Sequence, residues 1–472
     1  MYGVSRSVMS TNSTLESTTP SRHLPLELVE QIIDSIKDDM SSMQTSSLVS
    51  RSWCLTARPH LFRQVFLYQK PDSTALSLNR FIDLCSHPHS TLHAAGIQVF
   101  GIGGVQQEEC WALRSFFLWL LSVQGPKKKK TTMASRLFWN LSHLELNQMH
   151  NRGSPNLHIR LAWSVFFTYL AQIPEFCNVK TLTVTETTLN AVSDLSQISP
   201  LVRLEKLVLG DVWFRGGKDE GLVANRWVPS TLKQLDVSGQ KGVHRSQVFA
   251  YFATCLVLEE LYSFFPLRES TVVLQSFLAK RATVTSHPLR RCTFQLPAPR
   301  SHLDLWEEGH LSELFQSYQS HFNAWKDFVC TARIREIVIQ GTISSADDFF
   351  RWIYPLNSDD EPCRGSRVTK IVVTEGEWIV ANPRLSWDKL DRVWATHSLF
   401  RALKEIQVVF TSLEPSYIGL LLASADGTTM STPENLHSAM MACRGDGFGL
   451  LQQAFPLCSE RNLFKIAECG IR

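Results

Sequence analysis

A short apolar pattern recurs through most of the 472-residue chain and constrains its fold more than any other feature. Its unit is an aliphatic residue, two other residues, a second aliphatic, one residue and a third aliphatic. The last two apolar positions alternate with polar ones, so they fall on one face of a strand. The first position would pack beneath the turn that enters the strand. The clear copies are Leu141/Leu144/Leu146, Val179/Leu182/Val184, Leu204/Leu207/Leu209, Leu232/Leu235/Val237, Leu289/Cys292/Phe294, Ile334/Ile337/Ile339, Val368/Ile371/Val373 and Leu403/Ile406/Val408.

Three further copies are weaker, and the pattern stops after Phe410. Leu258/Leu261 has Ser263 at its third position. Phe62/Val65/Leu67 and Ala94/Ile97/Val99 are poor matches near the start of the chain. Helical segments are predicted between the copies, at residues 109–122, 163–173, 246–256, 311–328 and 345–354.

This alternation of strand, loop and helix is typical of leucine-rich-repeat solenoids. The copies are spaced by about 25 to 45 residues, whereas regular repeats span about 20–29. The chain therefore resembles a degenerate leucine-rich-repeat array, and the predicted fold class is α/β with parallel strands. A generic α/β domain with a parallel sheet is the alternative. The strand face that would bind a partner is predicted to carry Glu145, Thr183, Val208 and Asp236.

Residues 24–67 form a second pattern, of three short helices. Pro25 suits the first turn of a helix, because its missing N–H would be unpaired there. Leu28, Ile32 and Ile36 then recur every four residues. A second helical run is predicted to carry Met43, Leu48 and Val49. A third carries Trp53, Leu55 and Ala57 and is predicted to end before Pro59.

Three helices in so few residues bury little apolar surface by themselves. The apolar stripe therefore needs a second surface, either the rest of this chain or a partner.

The same stretch resembles an F-box, the helical module that docks on the Skp-type adaptor of a cullin-based ubiquitin ligase. The resemblance rests on Leu24-Pro25-x-Glu27-Leu28, on Ile32, Ile33 and Ile36, and on Leu48-Val49-Ser50-Arg51-x-Trp53. Leu61-Phe62-Arg63 is similar to the exit of many fungal F-box proteins, basidiomycete ones included. The linker from Lys37 to Gln44 departs from the family, because it is polar and lacks the usual aliphatic pair.

The resemblance implies a non-catalytic receptor that joins a Skp-type adaptor and cullin complex to a protein substrate. It also implies which residues contact the adaptor: Leu24, Pro25, Leu28, Ile32, Leu48, Val49 and Trp53. A leucine-rich-repeat interaction scaffold, with the helices as its cap and no link to ubiquitination, remains the alternative. An α/β enzyme is the third interpretation.

Composition and motifs narrow the function further. The net charge of +3 gives no case for a nucleic-acid or membrane partner. No apolar run reaches the roughly 20 residues of a membrane span. Eleven cysteines without a CxxC pair, and the absence of a secretory signal, predict a cytoplasmic and/or nuclear protein. No GxSxG or HExxH motif occurs, and no catalytic, cofactor-binding or metal-binding residue is predicted.

The predicted organisation has four parts. Residues 1–20 are a disordered tail, 21–67 the F-box-like adaptor-docking module, and 68–410 the degenerate leucine-rich-repeat domain that recognises a substrate. Residues 411–472 are a C-terminal cap or a partly disordered tail.

Overall fold

The structure is a computed structural model of the chain. It describes residues 24–68, 76–87, 90, 92–105, 110–124, 131–148, 161–214, 229–237, 242–252, 255, 257–264, 277, 289–295, 334–340, 367–373, 388–410, 452 and 455–468. The chain divides into two compact units, Met1–Arg63 and Gln64–Arg472. The predicted tail at 1–20, the helices at 311–328 and 345–354, and most of 411–472 lie outside the described residues.

The first unit holds three helices, α1 (Leu26–Ser35), α2 (Met40–Ser46) and α3 (Arg51–Leu61). Helix α1 begins directly after Pro25, whose carbonyl oxygen accepts bonds from the backbone N–H groups of Leu28 and Val29. The core is small, and Ile36, Trp53 and Leu61 pack against it. Its fully buried members are Val29, Ile33, Met43 and Ala57.

Two predictions for these helices were wrong. Helix α2 ends at Ser46, so Leu48 and Val49 lie in the connection to α3. Helix α3 continues through Pro59 to Leu61. The proline removes one backbone hydrogen bond, that to the carbonyl of Leu55, but the helix end is still closed by bonds from Phe62 N to Arg58 O and from Arg63 N to His60 O.

The second unit is built on a parallel sheet of twelve strands that follow one another in chain order, so the fold class is α/β, as predicted. The strands are β1 (Gln64–Tyr68), β2 (Val99–Gly103), β3 (His143–Asn147), β4 (Thr181–Thr185), β5 (Lys206–Gly210), β6 (Gln234–Val237), β7 (Glu260–Phe264), β8 (Arg291–Gln295), β9 (Glu336–Gln340), β10 (Lys370–Val373), β11 (Glu405–Phe410) and β12 (Phe464–Glu468).

The apolar pattern sets the register of this sheet. One buried residue of each strand aligns with its equivalent in the next, which gives a continuous apolar row on the inner face. The row is Val65, Phe100, Leu144, Leu182, Leu207, Leu235, Leu261, Cys292, Ile337, Ile371, Ile406 and Phe464. Ser263, at the broken copy, is also buried, and its strand has full length.

The pattern failed at two strands. The copy near β2 is Ile97/Phe100/Ile102 and not Ala94/Ile97/Val99, because Phe100 and Ile102 are the buried positions. Strand β12 lies in the segment predicted to be a cap or tail, and it pairs with β11. Residues 464–468 are therefore part of the sheet.

The remaining helices connect the strands. They are α4 (Leu78–Ser86), α5 (Leu92–Ala95), α6 (Cys110–Leu121), α7 (Met133–Leu137), α8 (Leu161–Leu170), α9 (Gly242–Phe252), α10 (Asp388–Thr396) and α11 (Pro456–Glu460), with 3-10 turns at Pro174–Asn178, Val192–Ile198 and Ser398–Phe400. Short strands pair Val123–Gln124 with Thr131–Thr132, and Thr188–Leu189 with Trp213–Phe214. Aromatic residues of α6, α8 and β2 fill the core beneath the first strands. The ring of Phe100 is stacked on that of Phe116, with 5.9 Å between the ring centroids.

Backbone turns after the first strands repeat as well. Gly104, Gln148, Glu186 and Asp211 each follow a strand and have positive φ angles of 66°, 50°, 47° and 51°. The N–H groups of the first three donate to carbonyls at the end of the next strand, Asn147, Thr185 and Gly210. The turn thus ends each strand at the same level of the sheet.

Candidate functional site

Helix α1 carries two apolar stripes, and only one of them is covered. Val29 and Ile33 are buried in the core of the helical unit. Leu28 and Ile32 lie one residue before each of them and are exposed. Because residues four apart lie on one face of a helix, Leu28 and Ile32 form an exposed apolar ridge. Leu24 and Pro25 extend it just before the first turn, and Leu24 is 52% exposed.

Leu48 and Val49 form a second exposed group, in the connection between α2 and α3. Their side chains are 85% and 63% exposed, respectively. Both backbone N–H groups are bonded to the end of α2, to Thr45 O at 3.0 Å and Ser46 O at 3.1 Å. Ser50 then caps α3, accepting from Trp53 N at 3.4 Å. The connection is thus held at both ends while its two apolar side chains face outward.

Trp53 differs from the other six predicted adaptor-contact residues. It is partly buried and packs against the core of the helical unit. The structure therefore places Leu28 and Ile32 on α1 with Leu24 and Pro25 just before it, and Leu48 with Val49 in a connection, while Trp53 packs against the core.

Three exposed apolar residues of this unit were missed from the sequence: Leu26, Met40 and Leu55. Leu26 was passed over because it occupies the variable position after Pro25, and Met40 because it stands in a polar linker. With them, residues 24–55 hold eight of the sixteen exposed large hydrophobic side chains among the residues that the structure describes. A single exposed leucine needs no explanation, but such a concentration makes these residues a candidate interaction surface.

Polar groups at the helix ends fix the geometry of the unit. The Asp39 carboxylate caps α2, accepting from Ser41 N at 3.0 Å and Ser42 N at 3.2 Å. The hydroxyl of Ser42 donates to it as well, and this bond is the main cause that lowers the pKa of Asp39. His60 of α3 lies 3.9 Å from Asp34 of α1, so the two helices are joined by an ion pair when His60 is protonated.

The outer face of the sheet is a second candidate surface. Glu145, Thr183, Val208 and Asp236 lie side by side in the register, as the predicted face requires, and all four are partly buried. Desolvation raises the pKa of Glu145. On the same strand, burial and the nearby Lys206 lower the pKa of His143.

Toward the end of the chain this face is covered by paired charges. Arg291 lies 3.6 Å from Glu336, and Glu405 contacts the ammonium groups of Lys370 at 2.9 Å and Lys465 at 3.2 Å. The carboxylates of Glu336 and Glu405 are thus already paired with cations.

Within the described ranges, no three His, Cys, Asp or Glu side chains converge on a possible metal position. Within the same ranges, no helix has the length and apolar character to cross a membrane.

No protein-family model matches the chain. No curated protein is similar to it in sequence.

Proposed function

We propose that the chain is the substrate-recognition subunit of a Skp-cullin-F-box type ubiquitin ligase. The helical unit docks on the adaptor, and the sheet unit, as a degenerate leucine-rich-repeat domain, holds a protein target. The chain performs no chemistry itself and acts by proximity, bringing the target to the ubiquitin-charged enzyme.

The observation that supports this proposal most is the uneven distribution of apolar surface in the helical unit. Four side chains are fully buried in its core, while eight large ones are exposed. Covering a leucine or isoleucine side chain contributes about 1.5–3 kcal/mol. More large apolar side chains are thus exposed in this unit than are fully buried in its core.

Six of the seven predicted contact residues belong to this exposed set or, like Pro25, border it. Trp53 instead packs against core residues of α1 and α2 and so helps to hold α3 against them.

The test is co-expression with a Skp-type adaptor and measurement of the dissociation constant. Leu28→Ala with Leu48→Ala is the informative double variant, because both side chains are exposed and their loss leaves the core intact. We expect at least about tenfold weaker association, since contact residues in an interface centre cost more than 1 kcal/mol each when truncated. Val202→Ala, an equally apolar and exposed change in the sheet unit, is the control and should bind as the parent does.

The alternative function is a leucine-rich-repeat interaction scaffold with no link to ubiquitination. The outer sheet face would then be the functional surface. A folded chain that does not bind the adaptor, with the sheet unit intact, would favour this alternative and contradict the receptor proposal.

A further inference from the structure

On the outer face of β1–β3, two aromatic rings of β1 lie over glycines of β2. The ring of Phe66 covers Gly101, where a Cβ atom would meet Phe66 Cδ1 at 2.3 Å. The ring of Tyr68 covers Gly103, where a Cβ atom would meet Tyr68 Cζ at 2.8 Å. The two glycines of β2 therefore permit an aromatic floor that any other residue would lift.

The position of this floor is fixed by the strand beyond it. Asn147 of β3 donates its amide N–H to the hydroxyl of Tyr68 at 2.7 Å. Phe66 has no such tether and is 40% exposed. One ring is thus anchored and the other presents an open face.

Glu145 stands beside the aromatic floor. It is aligned with Gly101 and Phe66 in the register, so its Cα lies about 10 Å from that of Phe66, with the Phe66 ring between them. Within the described part of the chain, no cation or hydrogen-bond donor contacts its carboxylate. Burial raises its pKa, because the carboxylate is partly removed from water.

The surroundings add negative charge and acceptors. Burial has the largest effect on Tyr68 and raises its pKa. The negative charges of Glu145 and Glu186 raise that pKa further. The amide oxygens of Asn147 and Gln148 are buried without a donor. The cations nearby do not neutralise this negative charge. The pKa of His143 is lowered, and Lys206 lies over the ring of Tyr262, 5.8 Å from its centroid.

We propose that this surface, formed by Phe66, Tyr68, Gly101, Gly103 and Glu145, binds a segment of a target protein through an arginine or lysine side chain. The cation stacks on the aromatic floor and pairs with the Glu145 carboxylate, and both contacts are favourable for a positive group over a ring beside an anion. The inference names the kind of target that the proposed receptor would hold, so its biological role rests on the proposed function. Unlike the paired acids Glu336 and Glu405, Glu145 has its carboxylate open to a ligand among the residues that the structure describes.

The test selects ligands from a display library of random ten-residue peptides with the immobilised full chain. We expect the bound pool to be enriched in arginine or lysine. The best binder is then compared with a copy in which citrulline replaces arginine, which keeps the shape and removes the charge, or norleucine replaces lysine. We expect roughly tenfold or greater weakening of binding for the uncharged copy.

Variants of the chain locate the site. Glu145→Gln and Gly101→Ala should each weaken the selected peptide roughly tenfold, the first by removing the anion and the second by lifting the Phe66 ring. Glu259→Gln makes the same charge change at an exposed position of the sheet unit and should bind as the parent does. Glu145→Gln should also unfold at a slightly higher temperature at neutral pH, because it removes a desolvated, unpaired charge.

Three results would overturn the inference: a bound pool with no basic enrichment, equal binding of the charged and uncharged copies, or equal losses from Glu145→Gln and Glu259→Gln. Adaptor association is measured in parallel on Glu145→Gln. A chain that binds basic peptides but no adaptor would retain the inference and contradict the receptor function.

Discussion

Asp391 is the one charged side chain in the buried set of the described residues, and it acts at long range. Its carboxylate accepts from Leu457 N at 2.9 Å and Cys458 N at 2.8 Å, in the first turn of α11. Residue Phe455 precedes that turn and supplies no side-chain cap. An aspartate on α10 thus caps a helix that follows it by more than sixty residues and precedes β12.

We predict that Asp391→Ala detaches the last helix and strand from the sheet unit. The buried N–H of Cys458 and the partly buried N–H of Leu457 lose a charged acceptor, which should cost about 2–4 kcal/mol of local stability. The measurement is amide hydrogen exchange of residues 455–468, which should become faster. Lys389→Ala, an exposed change on the same helix, serves as control, and unchanged exchange in Asp391→Ala would disprove the capping role.

At the scale of elements, the apolar pattern predicted strands wherever three apolar residues met the spacing. It was misplaced at β2 because Ala94, Ile97 and Val99 match the spacing by chance. The true strand contains Gly101 and Gly103, which weakened its signal. At β12 the first position of the pattern holds Arg461, which is exposed.

Arg461 replaces an apolar contact with hydrogen bonds that only the folded chain reveals. Its guanidinium donates to the carbonyl oxygens of Trp394 at 3.4 Å and Leu403 at 3.3 Å, and also to that of Ala395. These carbonyls belong to the end of α10 and to the turn before β11. A pattern of apolar residues cannot predict an element that is fixed by a cation on backbone carbonyls.

The bonds of Glu405 across β10, β11 and β12 predict a pH dependence. Hydrogen bonding from Lys370, with a smaller contribution from Lys465, lowers the pKa of Glu405. A carboxylate whose pKa is lower in the folded state stabilises the fold above its unfolded pKa, about 4.3. That contribution is lost as the pH falls through the folded pKa.

We therefore expect Glu405→Gln to be less stable than the parent at pH 7 by no more than about 1 kcal/mol for each pair, because such pairs are partly exposed. The difference should shrink toward zero below about pH 4. It should also shrink at about 1 M salt, which screens exposed charges. Paired denaturant titrations at pH 7 and pH 3 measure it, and a difference that persists at pH 3 would mean that packing, not charge, is responsible.

At the scale of the whole molecule, the class of fold was predictable and the exposure of the site was only partly so. Strand periodicity is a local property of the sequence, so the strands were predictable from it. The helical segments predicted between them then indicated a parallel α/β sheet. Whether Trp53 or Leu48 faces outward depends on how three helices pack, and the two differ although both belong to one sequence motif. The aromatic floor was not predictable, since Phe66 and Gly101 are 35 residues apart in the chain and meet only through strand register.

The division of the chain at Arg63 and Gln64 leads to the last prediction. A peptide of residues 24–63 holds the three helices but only four fully buried side chains. A unit that small buries too little surface to offset the entropy of ordering its backbone, at about 1–2 kcal/mol per residue. We expect the isolated peptide to show weak helical circular dichroism and to gain helix when a Skp-type adaptor is added, because the adaptor would cover the exposed apolar side chains.

The double variant Leu28→Ala/Leu48→Ala should show no such gain, whereas Gln31→Ala, an exposed polar change on α1, should behave as the parent peptide does. A peptide that is fully helical and cooperative alone would show that the exposed residues are not needed to complete the unit, and helix gain by the double variant would show that the adaptor covers a different surface.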